Sequence, residues 1–199
     1  MSLYPDYDWE FLAADMFISG DGEGNCGRDL AIRYDYYNEM VCIYEIGYMG
    51  TNSPSYHHVP FVARYSPWGE RNWVCNDVEY GSTDDEKAFS GVYYRVSSDY
   101  NRIVVAGYVG DNAEVIKYND GCTYGSRDDQ EEWLGTFVDK SEARSIIHKR
   151  DGTPQSDFFY LTGTSVSTAF SNGATNNVQL TKIEWTENEY DVCFQSEWG

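Results

Sequence analysis

Hydrophobic and polar residues alternate with a period of two along most of the chain. The alternation runs through MVCIYEIGY (Met40 to Tyr48), VPFVARY (Val59 to Tyr65), GVYYRVS (Gly91 to Ser97), RIVVAGYV (Arg102 to Val109) and DFFYLTG (Asp157 to Gly163). Side chains of an extended chain point alternately to its two faces, so each segment predicts a strand. The segments are rich in Val, Ile, Tyr and Phe, and clusters of Gly, Asn, Asp and Ser separate them at intervals of about 8 to 12 residues. That pattern predicts an all-β fold of the sandwich, barrel or propeller type. KSEARSIIHK (Lys140 to Lys149) fits a helix, with acids early and bases late, as well as it fits a strand. Long polar loops are expected at Thr51 to His58 and Thr164 to Asn177, natural places for variation or binding.

Three segments align with one another, and each reads strand, polar turn, strand ending in Gly, loop, third strand, turn, fourth strand. The glycines are Gly47, Gly107 and Gly163, 60 and 56 residues apart. This predicts one supersecondary unit used three times within a single all-β domain, 1–199. The units cover roughly 28–80, 91–138 and 142–195, with an additional N-terminal strand at 8–19. Trp9, Trp73 and Trp133, separated by 64 and 60 residues, mark the expected fourth strands. Rings of this size, each burying about 150–250 Å², are expected to fill the wedge between stacked sheets. Tyr34, Tyr65 and Tyr118 end comparable strands and are assigned the same task.

IYEIGY (Ile43 to Tyr48) with FVARYSPWG (Phe61 to Gly69), and IVVAGY (Ile103 to Tyr108) with VIKYNDG (Val115 to Gly121), resemble a bacterial β-propeller repeat. Its strands are of the types Val-Tyr-Val-x-Gly-Tyr and Ala-Phe-Val-Ala-Lys-Tyr. The resemblance covers most of Asp29 to Phe194 and implies a scaffold or recognition module whose repeat carries no catalytic residues. Two departures matter. Tyr37-Asn38 and Tyr100-Asn101 stand where the repeat has Gly-Asn, and only three units are written where a closed propeller takes four to eight blades. The chain is then half of a six-bladed ring closed by two-fold pairing, an incomplete or four-bladed ring with one degenerate unit in which the Trp9 strand completes a blade of its own chain, or a threefold β-trefoil or β-prism. An open blade edge exposes unpaired backbone groups, so the propeller-like reading carries homo-oligomeric assembly with it.

Composition narrows the partners. The chain has 199 residues, with 33 acidic and 14 basic side chains and a net charge of −19. At this length about 70% of the unfolded surface can be buried, enough for a core without staples. The charge repels phosphate backbones and excludes DNA or RNA as a direct partner, while favouring cations or a basic protein. An acidic mimic of nucleic acid and plain solubility are the two readings of that charge. No stretch offers the roughly 18–20 apolar residues of a membrane span, and the start, MSLYPDYDWEF, has no leader-like pattern, so a cytoplasmic or virion-associated protein is expected. Five cysteines without a CxxC spacing predict reduced thiols and no zinc.

Candidate chemistry is sparse. Asp21, Glu23 and Asn25 alternate with glycines, and with Asp29 they form a candidate calcium site of oxygen ligands. An EF-hand is excluded, because Cys26 and Ile32 occupy its Gly and Glu positions. Asp84, Asp85 and Glu86, and Asp128, Asp129, Glu131 and Glu132, supply carboxylate pairs of the kind a glycosidase uses, but nothing selects one pair. Gly163-Thr164-Ser165-Val166 looks like a subtilisin-type nucleophile segment without its companions, so a serine protease is rejected. His57 and His58 are expected on a surface loop. Trp68, Trp185 and Trp198 lie near turns or the end of the sequence, where rings can stack on sugars, which makes a carbohydrate-binding lectin the alternative. The reading that fits best is a non-enzymatic structural or recognition module, such as a virion, fibre or surface component.

Overall fold

The computed structural model describes residues 26–35, 40–51, 57–76, 84–95, 101–120, 125–133, 140–150, 157–167, 175–185 and 190–198. Every regular element among them is a strand. β1 (Cys26–Asp35), β2 (Met40–Thr51), β3 (His57–Tyr65) and β4 (Arg71–Asn76) form the first antiparallel sheet, in chain order. β5 (Glu86–Arg95), β6 (Asn101–Val109), β7 (Asn112–Asp120) and β8 (Gly125–Trp133) form the second. β9 (Lys140–Arg150), β10 (Asp157–Ser167), β11 (Thr175–Trp185) and β12 (Tyr190–Trp198) form the third. KSEARSIIHK is therefore strand, since Ala143 and Ile146 are needed in the core beside Phe159 and Leu161. The N-terminal segment 8–19, Trp9, and the residues Asp21, Glu23 and Asn25 lie outside the described residues.

The three sheets share one irregularity at one register. In the first strand of each, a bulge sets an extra residue against the step before the marked glycine: Arg28 between Gly27 and Asp29, Phe89 between Ala88 and Ser90, and Arg144 between Ala143 and Ser145. The partner glycines are Gly47, Gly107 and Gly163. A Cβ there would stand 2.0 Å from Cys26 O, 2.0 Å from Lys87 O or 1.8 Å from Glu142 O, so only glycine lets the two backbones approach. The fourth strands bulge at equivalent places as well, opposite the steps Arg64/Tyr65, Lys117/Tyr118 and Lys182/Ile183. Trp73 and Trp133 both lie in fourth strands, but four register positions apart. Trp73 pairs with Arg64, and Trp133 pairs with Ala113, whose counterpart in the third sheet, Val178, faces Trp198.

Successive sheets stack face to face. The first buries Ala31, Cys42, Tyr44, Ile46, Val62 and Trp73 against Ala88, Ile103, Val105, Ile116 and Tyr118 of the second. The other face of the second buries Tyr94, Val104, Ala106, Ala113 and Val115 against Ala143, Ile146, Phe159, Leu161, Ile183 and Trp185 of the third. Alternation explains both layers, since odd and even residues of β6 serve different neighbours. The expected loop at 164–177 is shorter than its polarity suggests. Ser165 and Asn177 face each other across β10 and β11 and are buried, because Ser and Asn satisfy the alternation as small polar inward residues.

Candidate functional site

Two seams and two outer faces define what the molecule can do. Across the first seam, Asp29 Oδ2 accepts from Ser90 Oγ at 2.7 Å and from Gly91 N at 3.1 Å. Deeper in, the fully buried Asp120 accepts from Arg33 at 2.8 Å, Arg64 at 3.2 Å and Tyr44 Oη at 2.5 Å, joining β7 to β1, β2 and β3. Burial and the Asp120 charge both push the Tyr44 phenol up, so it remains a donor. Tyr44 also stacks on Tyr93 of β5, ring centres 5.9 Å apart. At the rim Asp85, just before β5, accepts from His58 N at 2.9 Å, His58 Nδ1 at 2.5 Å and Tyr108 Oη at 2.9 Å, and pairs with Lys87 at 3.1 Å. Burial pushes the Asp85 carboxyl up, but these hydrogen bonds outweigh it and hold its pKa at about 2. The pair His57-His58, expected on a surface loop, instead opens β3, with His57 buried.

The second seam repeats the rim contact with the acid on the opposite strand. Lys140 and Asp111, at the register positions of Asp85 and His58, pair at 2.7 Å. Ser141 N donates to Asp111 O at 2.9 Å, and Ser141 Oγ accepts from Ala113 N at 3.0 Å. Lys117 Nζ of β7 lies 4.5 Å from the centre of the Trp185 ring. Tyr94, His148 and Phe159 form an aromatic cluster between β5, β9 and β10.

The outer faces have no described sheet against them. In the second and third sheets, the face turned toward the preceding sheet carries Gly91 and Tyr93, and Ile146 and His148, on the first strand. Ile146 is 3% exposed. Their register equivalents in the first sheet are Leu30 and Ile32, which are 62% and 66% exposed, followed by exposed Tyr34. Tyr34 was expected to fill a wedge between sheets; its wedge has one described wall. Farther out on the same face, Met49, Val59, Phe61 and Ala63 form a buried cluster. A shallow depression of about 510 Å³ lies beside the exposed strip, lined by Gly27, Arg28, Asp29, Leu30 and Glu45. At the opposite end of the stack, the outward face of the third sheet exposes Ile147 at 61% and Val178 at 55%.

Of the residues singled out for chemistry, Trp68 sits in the turn after β3 and is 62% exposed, whereas Trp185 is 4% exposed and belongs to the second seam. The second sheet stands between them. Trp198 ends β12, and its side chain lies outside the described residues. Asp29 is spent on the first seam, and its other oxygen accepts from Leu30 N at 2.8 Å. Cys26, Cys42, Cys75 and Cys193 carry free thiols. The basic and aromatic residues at the bulges are not legible in the sequence, because a bulge shifts the two-residue alternation by a single residue, and Gly, Ala or Ser beside each bulge blurs the contrast that would reveal the shift. Neither a scan against protein-family models nor a search of the curated proteins returns a match to this chain.

Proposed function

We propose that the chain is a non-enzymatic structural module, a propeller-like array of three blades that assembles head to tail with further copies of itself. One observation carries this reading: the first sheet leaves Leu30 and Ile32 exposed at positions that the second and third sheets turn toward a preceding sheet. The third sheet of a second copy would bring exposed apolar side chains of its own, Ile147 and Val178, to that face. Such a contact joins two different surfaces, so it closes into a ring if the rotation permits and otherwise runs on as a filament. Burying one aliphatic side chain of this size is worth about 1.5–3 kcal/mol. Sedimentation equilibrium tests the proposal. Wild type is expected to populate multiples of the 22.8 kDa chain, and Ile32→Lys to weaken association by about tenfold or more. A wild type that stays at one chain mass at every concentration overturns it.

A further inference from the structure

β1, β5 and β9 lie side by side, so their bulge residues form a row across the three sheets. Phe89 is in the middle. The Arg28 Cζ lies 5.9 Å from the centre of its ring, and the Arg144 Cζ 4.0 Å. Tyr48 and Tyr108, each one residue past the marked glycine, flank the same ring at 6.4 and 5.7 Å. Lys87 Nζ lies 5.2 and 5.9 Å from the centres of those two tyrosines. Three of the 14 basic side chains of a chain with net charge −19 thus converge on one aromatic cluster.

The three cations are not equally compensated. Lys87 pairs with Asp85, and Arg144 with Glu142. Arg28 donates to Tyr48 Oη at 2.6 Å, a contact that raises its pKa and positions the guanidinium. Among the described residues no carboxylate pairs with Arg28. Arg28 and Arg144 thus present guanidinium donors at the same ring, and an oxyanion accepts from such donors in charge-assisted hydrogen bonds. The exposure of both arginines leaves the donors accessible from solvent.

We propose that the Arg28, Phe89 and Arg144 row is a binding site for a small multivalent oxyanion, the shared chemistry of di- and tricarboxylates and phosphate esters. The site is complete in one copy and goes beyond the assembly proposed above. Isothermal titration with citrate, and separately with pyrophosphate, tests it on wild type and on the assembly-weakened Ile32→Lys variant. Saturable one-to-one binding of either probe is expected in both proteins, weakening with added salt. Arg28→Gln and Arg144→Gln are each expected to lower affinity by about tenfold or more, the loss of a charge-assisted hydrogen bond. Lys149→Gln, on the outward face of the third sheet, is expected to bind as wild type does. Tighter binding of citrate assigns the site to carboxylates, and of pyrophosphate to phosphates. Absence of saturable binding by both probes, or equal affinity in wild type and both arginine variants, overturns the proposal. All variants alter exposed side chains, and an unchanged thermal transition shows that each is folded.

Discussion

A methyl group added at Gly107 would stand 2.0 Å from the carbonyl oxygen of Lys87, with the next backbone atoms at 2.9 and 3.2 Å. Backbone cannot yield as a flexible side chain does, so Gly107→Ala is expected to cost at least the ~1–3 kcal/mol of an overpacked core. Denaturant unfolding measures it, and a change of a few tenths would show that the bulge can relax. Asp120 makes a different demand. Its buried side chain accepts from Arg33, Arg64 and Tyr44, so Asp120→Ala takes the shared carboxylate away from two guanidiniums. A loss of about 3–5 kcal/mol is expected in the same measurement. The glycines are legible in the sequence, because Gly47, Gly107 and Gly163 recur 60 and 56 residues apart at the ends of strands with the same alternation. Asp120 is not, since its partners Arg33 and Arg64 are distant in sequence and no local spacing links an acid on β7 to cations on β1 and β3.

At the scale of elements, alternation identifies the strands and their two faces, and it fails only where a second rule competes. KSEARSIIHK satisfies the charge order of a helix, yet becomes β9 because the second sheet offers Ala143 and Ile146 a surface that a helix would have to leave. Polar Ser165 and Asn177 suggest a loop but extend β10 and β11, since their inward side chains are small enough to bury. The seam rims carry a pH dependence that no single strand predicts. Asp85 has a pKa of about 2 in the folded chain against 3.8 for the free side chain. Its contribution is therefore fully present above 3.8 and is lost as pH falls toward 2. Thermal transitions of wild type and Asp85→Asn are expected to differ most near neutral pH and to converge in that acid window. A difference as large at pH 2 as at neutral pH would contradict the assignment of the shift to His58, Lys87 and Tyr108.

At the scale of the whole molecule, three sheets stack in chain order and both ends of the stack carry exposed apolar side chains. The sequence pattern predicts three equivalent units. It cannot reveal which faces remain uncovered, because Leu30 and Ile32 look like any other inward residues of a strand until the neighbouring sheet is placed. Head-to-tail association has a consequence that face-to-face pairing of like surfaces lacks. Ile32→Glu damages only the first sheet's outer face, and Ile147→Glu only the third's. Each variant alone lacks one half of every contact. The decisive measurement is the mass in solution of the two variants, separately and mixed. Separately each is expected to sediment as a single chain, and the mixture to form a dimer containing one of each that grows no further. Variants that still self-associate, or a mixture that stays monomeric while the wild type assembles, would contradict the account.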